Sequence, residues 1–268
     1  MTDPSTNALV VEHLVVRYGG HTAVDGITLT APVGQITGLI GPNGAGKTTT
    51  FNAITGLVRQ TSGRMRVLGH DITTMSPQRR AQLGLGRTFQ RMELFDSLSV
   101  RDNLGLGREA RLAGSTPWRH LRGSRADTAT VAEATEQALE LCGVQALAQR
   151  RPADLSTGQR RLVELARCIA GGFTMMLLDE PSSGLDKTET VTFGRILRAL
   201  VETRGVGILL VEHDMSLVMG VCDYIHVMDF GQPIFHGTSA EVSASPIVRA
   251  AYLGNDAVYA AVPATAGT

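Results

Sequence analysis

Gly41-Pro42-Asn43-Gly44-Ala45-Gly46-Lys47-Thr48 is the stretch on which the reading of this chain turns. It fits G-x-x-x-x-G-K-[ST], a loop that binds phosphate. The residues before it, Gln35-Ile36-Thr37-Gly38-Leu39-Ile40, read as a buried strand. Those after it, Thr49-Thr50-Phe51-Asn52-Ala53-Ile54, read as the start of a helix. Strand, loop and helix in that order are the context the motif requires. Glycines let successive backbone N–H groups turn toward one anion. The helix N-terminus adds its partial positive charge at the same place. Gly41, Pro42, Asn43, Gly44, Ala45, Gly46, Lys47, Thr48 and Thr49 are therefore the candidate nucleotide-binding residues. Lys47 is expected to bridge the β- and γ-phosphates of ATP, and the Thr48 hydroxyl to hold Mg²⁺.

Two further stretches fit the same chemistry. Met175-Met176-Leu177-Leu178-Asp179-Glu180 is an apolar strand that ends in two carboxylates. Beside a P-loop, Asp179 would hold Mg²⁺ through water next to Thr48. Glu180 would then stand beside the γ-phosphate, where it can polarise the attacking water. Leu155-Ser156-Thr157-Gly158-Gln159 precedes a helix expected over residues 160–170. Ser156 and Gln159 have the spacing of a capping box, which needs no ligand. The same N-terminus, with Ser156 and Gly158, can also receive an anion. That anion would be the γ-phosphate of ATP held by a second subunit, and both readings stand.

Along the chain, residues 8–18 and 24–31 read as strands bounded by glycines, and residues 63–69 as a short one. Ser76-Pro77 opens a short helix. Helix is expected over residues 100–112, loop over 113–127 and helix again over 128–142. Residues 174–178 and 206–211 are continuous apolar runs, which suit strands covered on both faces of a parallel sheet. A helical pattern at 187–203 lies between them, so the class is α/β. Residues 223–236 read as a hairpin turning near Phe230-Gly231, and residues 239–253 as short helices. The folded part spans 8–254, leaving residues 1–7 and 255–268 as loose tails.

Composition narrows the function classes. The 268 residues suit one core with an inserted subdomain, and a hydrophobic content of 43% excludes a disordered chain. Twenty-five basic residues balance twenty-five acidic ones, so net charge gives no support for a nucleic-acid partner. Cys142, Cys168 and Cys222 are widely spaced, which suits buried thiols rather than a disulfide framework. No apolar run approaches the roughly 18–20 residues of a membrane span, and no signal peptide is visible. Work at a membrane would need a membrane-embedded partner.

The P-loop, Leu155-Ser156-Thr157-Gly158-Gln159, Leu177-Leu178-Asp179-Glu180-Pro181, Ser183-Gly184-Leu185-Asp186 and Glu212-His213-Asp214 together resemble the ATPase subunits of ABC transporters, in the family's order. The resemblance runs over residues 9–254. Arg17-Tyr18-Gly19-Gly20, Arg87-Thr88-Phe89-Gln90, Gly158-Gln159-Arg160-Arg161-Leu162, Glu212-His213-Asp214-Met215 and Ala251-Tyr252-Leu253-Gly254 are similar, more narrowly, to the ATPases of branched-chain amino acid importers. That subfamily also serves urea, short amides and related hydrophobic amino acids. The resemblance implies a P-loop (RecA-like) α/β core, an N-terminal antiparallel β subdomain and a helical subdomain near 91–160.

The resemblance also implies roles. Tyr18 matches the aromatic that stacks on adenine, and Gln90 the glutamine that reaches Mg²⁺ and the attacking water. His213 matches the switch histidine that contacts the γ-phosphate, and Asp186 belongs to the loop that crosses to the other subunit. Asp186 and Glu189 also have capping-box spacing. Glu212, His213 and Asp214 are not expected to form a metal site, because consecutive residues at a strand end face different ways. Thr157 stands where the common signature has Gly. Implied partners are a second ATPase subunit, two integral membrane permease subunits and, indirectly, a substrate-binding protein. A heterodimer of ATPases is expected over a homodimer, at the cytoplasmic face of the membrane. The alternative is a soluble ABC ATPase of translation or DNA maintenance. Translation members carry two cassettes in one chain and DNA members long coiled coils, and this chain has neither.

Overall fold

The computed structural model describes residues 7–88, 93–113 and 125–252. A long hairpin, β1 (Asn7–Tyr18) and β2 (His21–Pro32), precedes β3 (Ile36–Ile40) and helix α1 (Lys47–Thr55). Then come β4 (Ser62–Val67), β5 (His70–Asp71), α2 (Pro77–Leu83) and β6 (Leu85–Arg87). Helices α3 (Val100–Ala113), α4 (Arg125–Leu141) and α5 (Thr157–Ala170) pack on one another. The chain returns through β7 (Met175–Asp179), α6 (Lys187–Arg204), β8 (Gly207–Val211) and α7 (Met215–Val221). A hairpin of β9 (Tyr224–Asp229) and β10 (Gln232–Gly237) leads to α8 (Ser239–Ala244) and α9 (Pro246–Tyr252).

Two sheets result. The first is antiparallel, with order β2-β1-β4-β5. The second has order β10-β9-β3-β8-β7-β6, parallel throughout except for the edge strand β10. Strands β3, β7 and β8 are buried at all five positions. Their side chains alternate between two cores, as period 2 requires. Ile36, Ile40, Met176, Leu178, Ile208 and Leu210 face the core shared with α5 and α6. Leu39, Met175, Leu177, Leu209 and Val211 face the core shared with α1 and the first sheet. That double burial is why these strands read as unbroken apolar runs. It also puts the ends of β3, β7 and β8 side by side, where the P-loop, Asp179-Glu180 and Glu212-His213 leave the sheet.

The expected elements are present with small shifts. The hairpin turns at Phe230-Gly231, both residues at positive φ (45° and 81°), the turn geometry that matches strand twist. Strand β1 starts at Asn7, one residue inside the expected N-terminal tail. Helix α4 starts at Arg125, so residues 125–127, expected as loop, are helical; Arg and Ala there are good helix formers. All three cysteines are free and buried, and burial pushes each thiol up to about 12. No helix among the described residues is long and apolar enough to cross a membrane. The remaining tail residues lie outside the described residues.

Candidate active site

The P-loop runs from the end of β3 to the start of α1, and its shape depends on two glycines. Gly46 caps α1 in the left-handed region (φ 97°), and a Cβ there would stand 2.5 Å from the Ala23 carbonyl oxygen. A Cβ on Gly41 would stand 2.1 Å from the Met228 carbonyl oxygen. The loop is thus clasped by the start of β2 and the end of β9. No side chain caps α1, whereas Ser156, Asp186 and Thr238 cap α5, α6 and α8 with complete capping boxes. The first N–H groups of α1 therefore have no side-chain acceptor of their own, the condition for a phosphate cradle.

Lys47 is buried, and its Nζ donates to the carbonyls of Gly41 (2.6 Å) and Pro42 (3.0 Å). Burial holds its pKa below the usual lysine value, while the charges of Glu180 and Asp179 pull it back up. Those two carboxylates thus share the loop's electrostatic neighbourhood. Thr48 is exposed on the first turn of α1 and Thr49 half-buried beside it. Tyr18 ends β1 paired with His21, two residues before Ala23, and its side chain is exposed.

Asp179 is buried at the end of β7. Its Oδ2 accepts from Arg87 at 2.8 Å. Arg87 is held in turn by Asn52 Oδ1 (2.7 Å) and Thr55 Oγ1 (3.2 Å), with its guanidinium over the Phe51 ring. Burial raises the pKa of Asp179, Arg87 and Lys47 lower it, and Glu180 raises it further. Its Oδ1 is buried without a hydrogen-bond partner. A buried carboxylate oxygen with nothing to accept fits an oxygen donor to a hydrated Mg²⁺.

Glu180 follows in the left-handed region (φ 48°), a strained position for a residue with a side chain. Its backbone N–H donates to the Val211 carbonyl at 2.8 Å. Glu180 Oε1 and His213 Nε2 lie 2.5 Å apart. The side chains of Glu212, His213 and Asp214 each have their own partner. Glu212 is buried and accepts from the backbone of Ser182 and His213; Asp214 caps α7 through Ser216 and Leu217. Burial raises the pKa of Glu212, against hydrogen bonds from Ser182, His213 and Asp214.

A second group sits at the N-termini of α5 and α6. Ser156 and Gln159 close their capping box at 3.2 Å and 3.1 Å, and Asp186 and Glu189 close theirs at 2.8 Å and 3.0 Å. Gly158 fills the contact between the two helices: a Cβ there would meet Glu189 Oε1 at 2.1 Å. The Thr157 methyl packs toward Gly184, and Arg161 donates to the Ser183 carbonyl at 3.3 Å. Lys47, Asp179, Glu180 and His213 thus form one cluster, and Ser156, Gly158, Gln159 and Asp186 another. Gln90 lies outside the described residues. Arg87 and Glu212 are the site residues to which no role was given from sequence; the only signal was a charge inside, or at the end of, an otherwise apolar strand.

Residues 24–183 match the model of the ABC transporter family. The chain belongs to that family. A second model, described as branched-chain amino acid ATP-binding cassette transporter, matches residues 232–258. The high-affinity branched-chain amino acid transport ATP-binding protein LivG of Escherichia coli is 36% identical over 249 residues, covering 92% of this chain and 97% of LivG. BraF of Pseudomonas aeruginosa, which bears the same description, is 36% identical over 249 residues, with 92% and 97% covered. Among solved structures, the ADP conformation of MJ1267, an ATP-binding cassette of an ABC transporter, superposes with a TM-score of 0.81 at 30% identity, covering 92% of this chain and 99% of that one. The ABC cassette is an ATPase, and the P-loop α/β architecture expected from sequence is the one these relatives share.

Proposed function

We propose that this ABC ATPase is the energy-supplying subunit of an importer for branched-chain amino acids or related small amides such as urea. The observation that carries the catalytic part is the meeting of Glu180 and His213 at 2.5 Å, at the ends of strands adjoining the P-loop strand. The cargo class is supported by the match of residues 232–258 and by the likeness to LivG and BraF.

Gly41 to Thr49 wrap the phosphates of ATP with backbone N–H groups, and Tyr18 stacks on the adenine. Lys47 exchanges its loop carbonyls for phosphate oxygens, a stronger charge-assisted partner. Thr48, Asp179 through water, and Gln90 would hold Mg²⁺. Bound there, the ion would neutralise charge on the phosphate oxygens. Glu180 accepts a proton from the attacking water, and His213 orients Glu180 and contacts the γ-phosphate. Ser156, Gly158 and Gln159 of a second subunit close over that phosphate, with Asp186 crossing the interface. ATP therefore favours closure of the dimer, and hydrolysis releases it.

The second ATPase is a different chain, and two permease subunits hold the pair at the cytoplasmic face of the membrane. A cavity of about 290 Å³ between α2, β6, α3 and α5, lined by Arg87, Thr88, Gly107, Arg167 and Phe173, suits their docking. The test is purification of the tagged chain from gently solubilised native membranes. Two integral membrane proteins and a second ATPase should accompany it. Recovery with ribosomes or nucleic acid alone would remove transport and leave ATP hydrolysis standing.

A further inference from the structure

Glu180 and His213 face each other from two chain segments. Strands β7 and β8 stay paired only as far as Asp179 and Val211. Beyond that pair the chains part, one into the turn at residues 180–186 and the other toward α7. His213 is 44% exposed in its side chain, so packing does not hold the ring. Glu180 sits in a backbone region its side chain disfavours, so it needs support from its neighbours.

One carboxylate reaches both segments. Glu212, 3% exposed, accepts from Ser182 N at 2.7 Å with Oε1 and from His213 N at 3.1 Å with Oε2. Both oxygens are used, one on each segment, and the Ser182 hydroxyl and the Asp214 backbone N–H add to the same two arms. Ser182 lies two residues after Glu180. The Asp214 cap of α7 fixes the far side of His213.

We infer that Glu212 is a positioning residue for hydrolysis: its carboxylate clamps the Ser182 and His213 backbones together and so sets the Glu180–His213 contact. This rests on the reading of Glu180 as base and His213 as its partner. Glutamine is the informative replacement. It has the same shape but only one acceptor oxygen, so its amide NH₂ must face one of the two N–H donors. The fold keeps its packing while one arm of the clamp is lost.

The experiment compares wild type, Glu212→Gln, Glu212→Asp and Glu180→Gln for kcat and for affinity toward a non-hydrolysable ATP analogue. For Glu212→Gln, kcat should fall about 10- to 100-fold, with analogue affinity within about twofold of wild type. Glu212→Asp is too short to span both N–H groups, so it should show the same split even if the glutamine variant fails to fold. Unchanged kcat in both Glu212 variants, with Glu180→Gln inactive, overturns the clamp and leaves the base standing. Normal turnover by Glu180→Gln overturns the base and the clamp with it.

Discussion

Arg87 and Asp179 form an ion pair of 2.8 Å, with side chains only 8% and 1% exposed. The pair joins the end of the edge strand β6 to the carboxylate proposed to hold Mg²⁺. Arg87 also lines the cavity between α2, β6, α3 and α5. Removing one member of a buried pair leaves the other charge without compensation. We expect Arg87→Met to lower unfolding stability by about 3–5 kcal/mol. The double variant Arg87→Met/Asp179→Leu should lose less than the two single changes summed, because the orphaned charge is gone. Urea unfolding of the three variants measures this, and strict additivity would mean that the pair carries no coupling.

Lys47→Ala should weaken ATP binding. Its ammonium sits among the loop carbonyls, and a hydrogen bond to a charged group contributes about 1.5–3 kcal/mol, or roughly 10- to 100-fold in affinity. Equilibrium titration with a fluorescent nucleotide reads the change. Wild-type affinity in the variant would overturn the assignment of the loop.

Gly46→Ala places a Cβ 2.5 Å from the Ala23 carbonyl oxygen and forces alanine to φ 97°. The left-handed region alone costs about 1–2 kcal/mol, and the contact adds to it. The variant should be less stable and bind nucleotide poorly. Gly44→Ala is the control, because a Cβ there meets nothing within 4 Å although its φ of 83° is also left-handed. A larger loss at Gly44 than at Gly46 would mean that the clasp by β2 is unimportant.

His226 supplies a pH dependence unrelated to catalysis. Burial, then the neighbouring His236, push its pKa down to about 4, against a hydrogen bond to the Thr30 backbone. In the unfolded chain it protonates near 6.5, so between about 6.5 and 4 the unfolded state binds the extra proton. Stability is therefore full above pH 6.5 and is lost as pH falls through that window. Between pH 7 and pH 5 the loss from this group is about 1–2 kcal/mol. His226→Phe should flatten the curve relative to wild type, as measured by urea midpoints at the two pH values. Parallel curves would remove His226 as the cause.

The motif residues were legible in the sequence because their chemistry fixes local spacing. Gly41 to Thr48, the strand ending at Asp179 and the two capping boxes each follow from short-range rules that tertiary packing did not override. Strand β6 and helix α7 were not, since three and seven residues carry too little periodicity to read. Arg87 and Glu212 were not either. Their partners Asp179 and Ser182 lie 92 and 30 positions away in the chain, and only the sheet order brings them together. Helix α4 starts earlier than the polar stretch before it suggested, as helix ends commonly do.

The most direct test is uptake of labelled leucine by cells lacking this chain, complemented with wild type or with Glu180→Gln. General-base loss typically costs about 10²–10⁴-fold in rate, so the variant should assemble with the membrane subunits and trap ATP, yet restore almost no uptake. Wild type should restore it fully. Equal leucine, isoleucine, valine, amide and urea uptake with and without the chain, while the purified protein still hydrolyses ATP, would contradict the importer assignment.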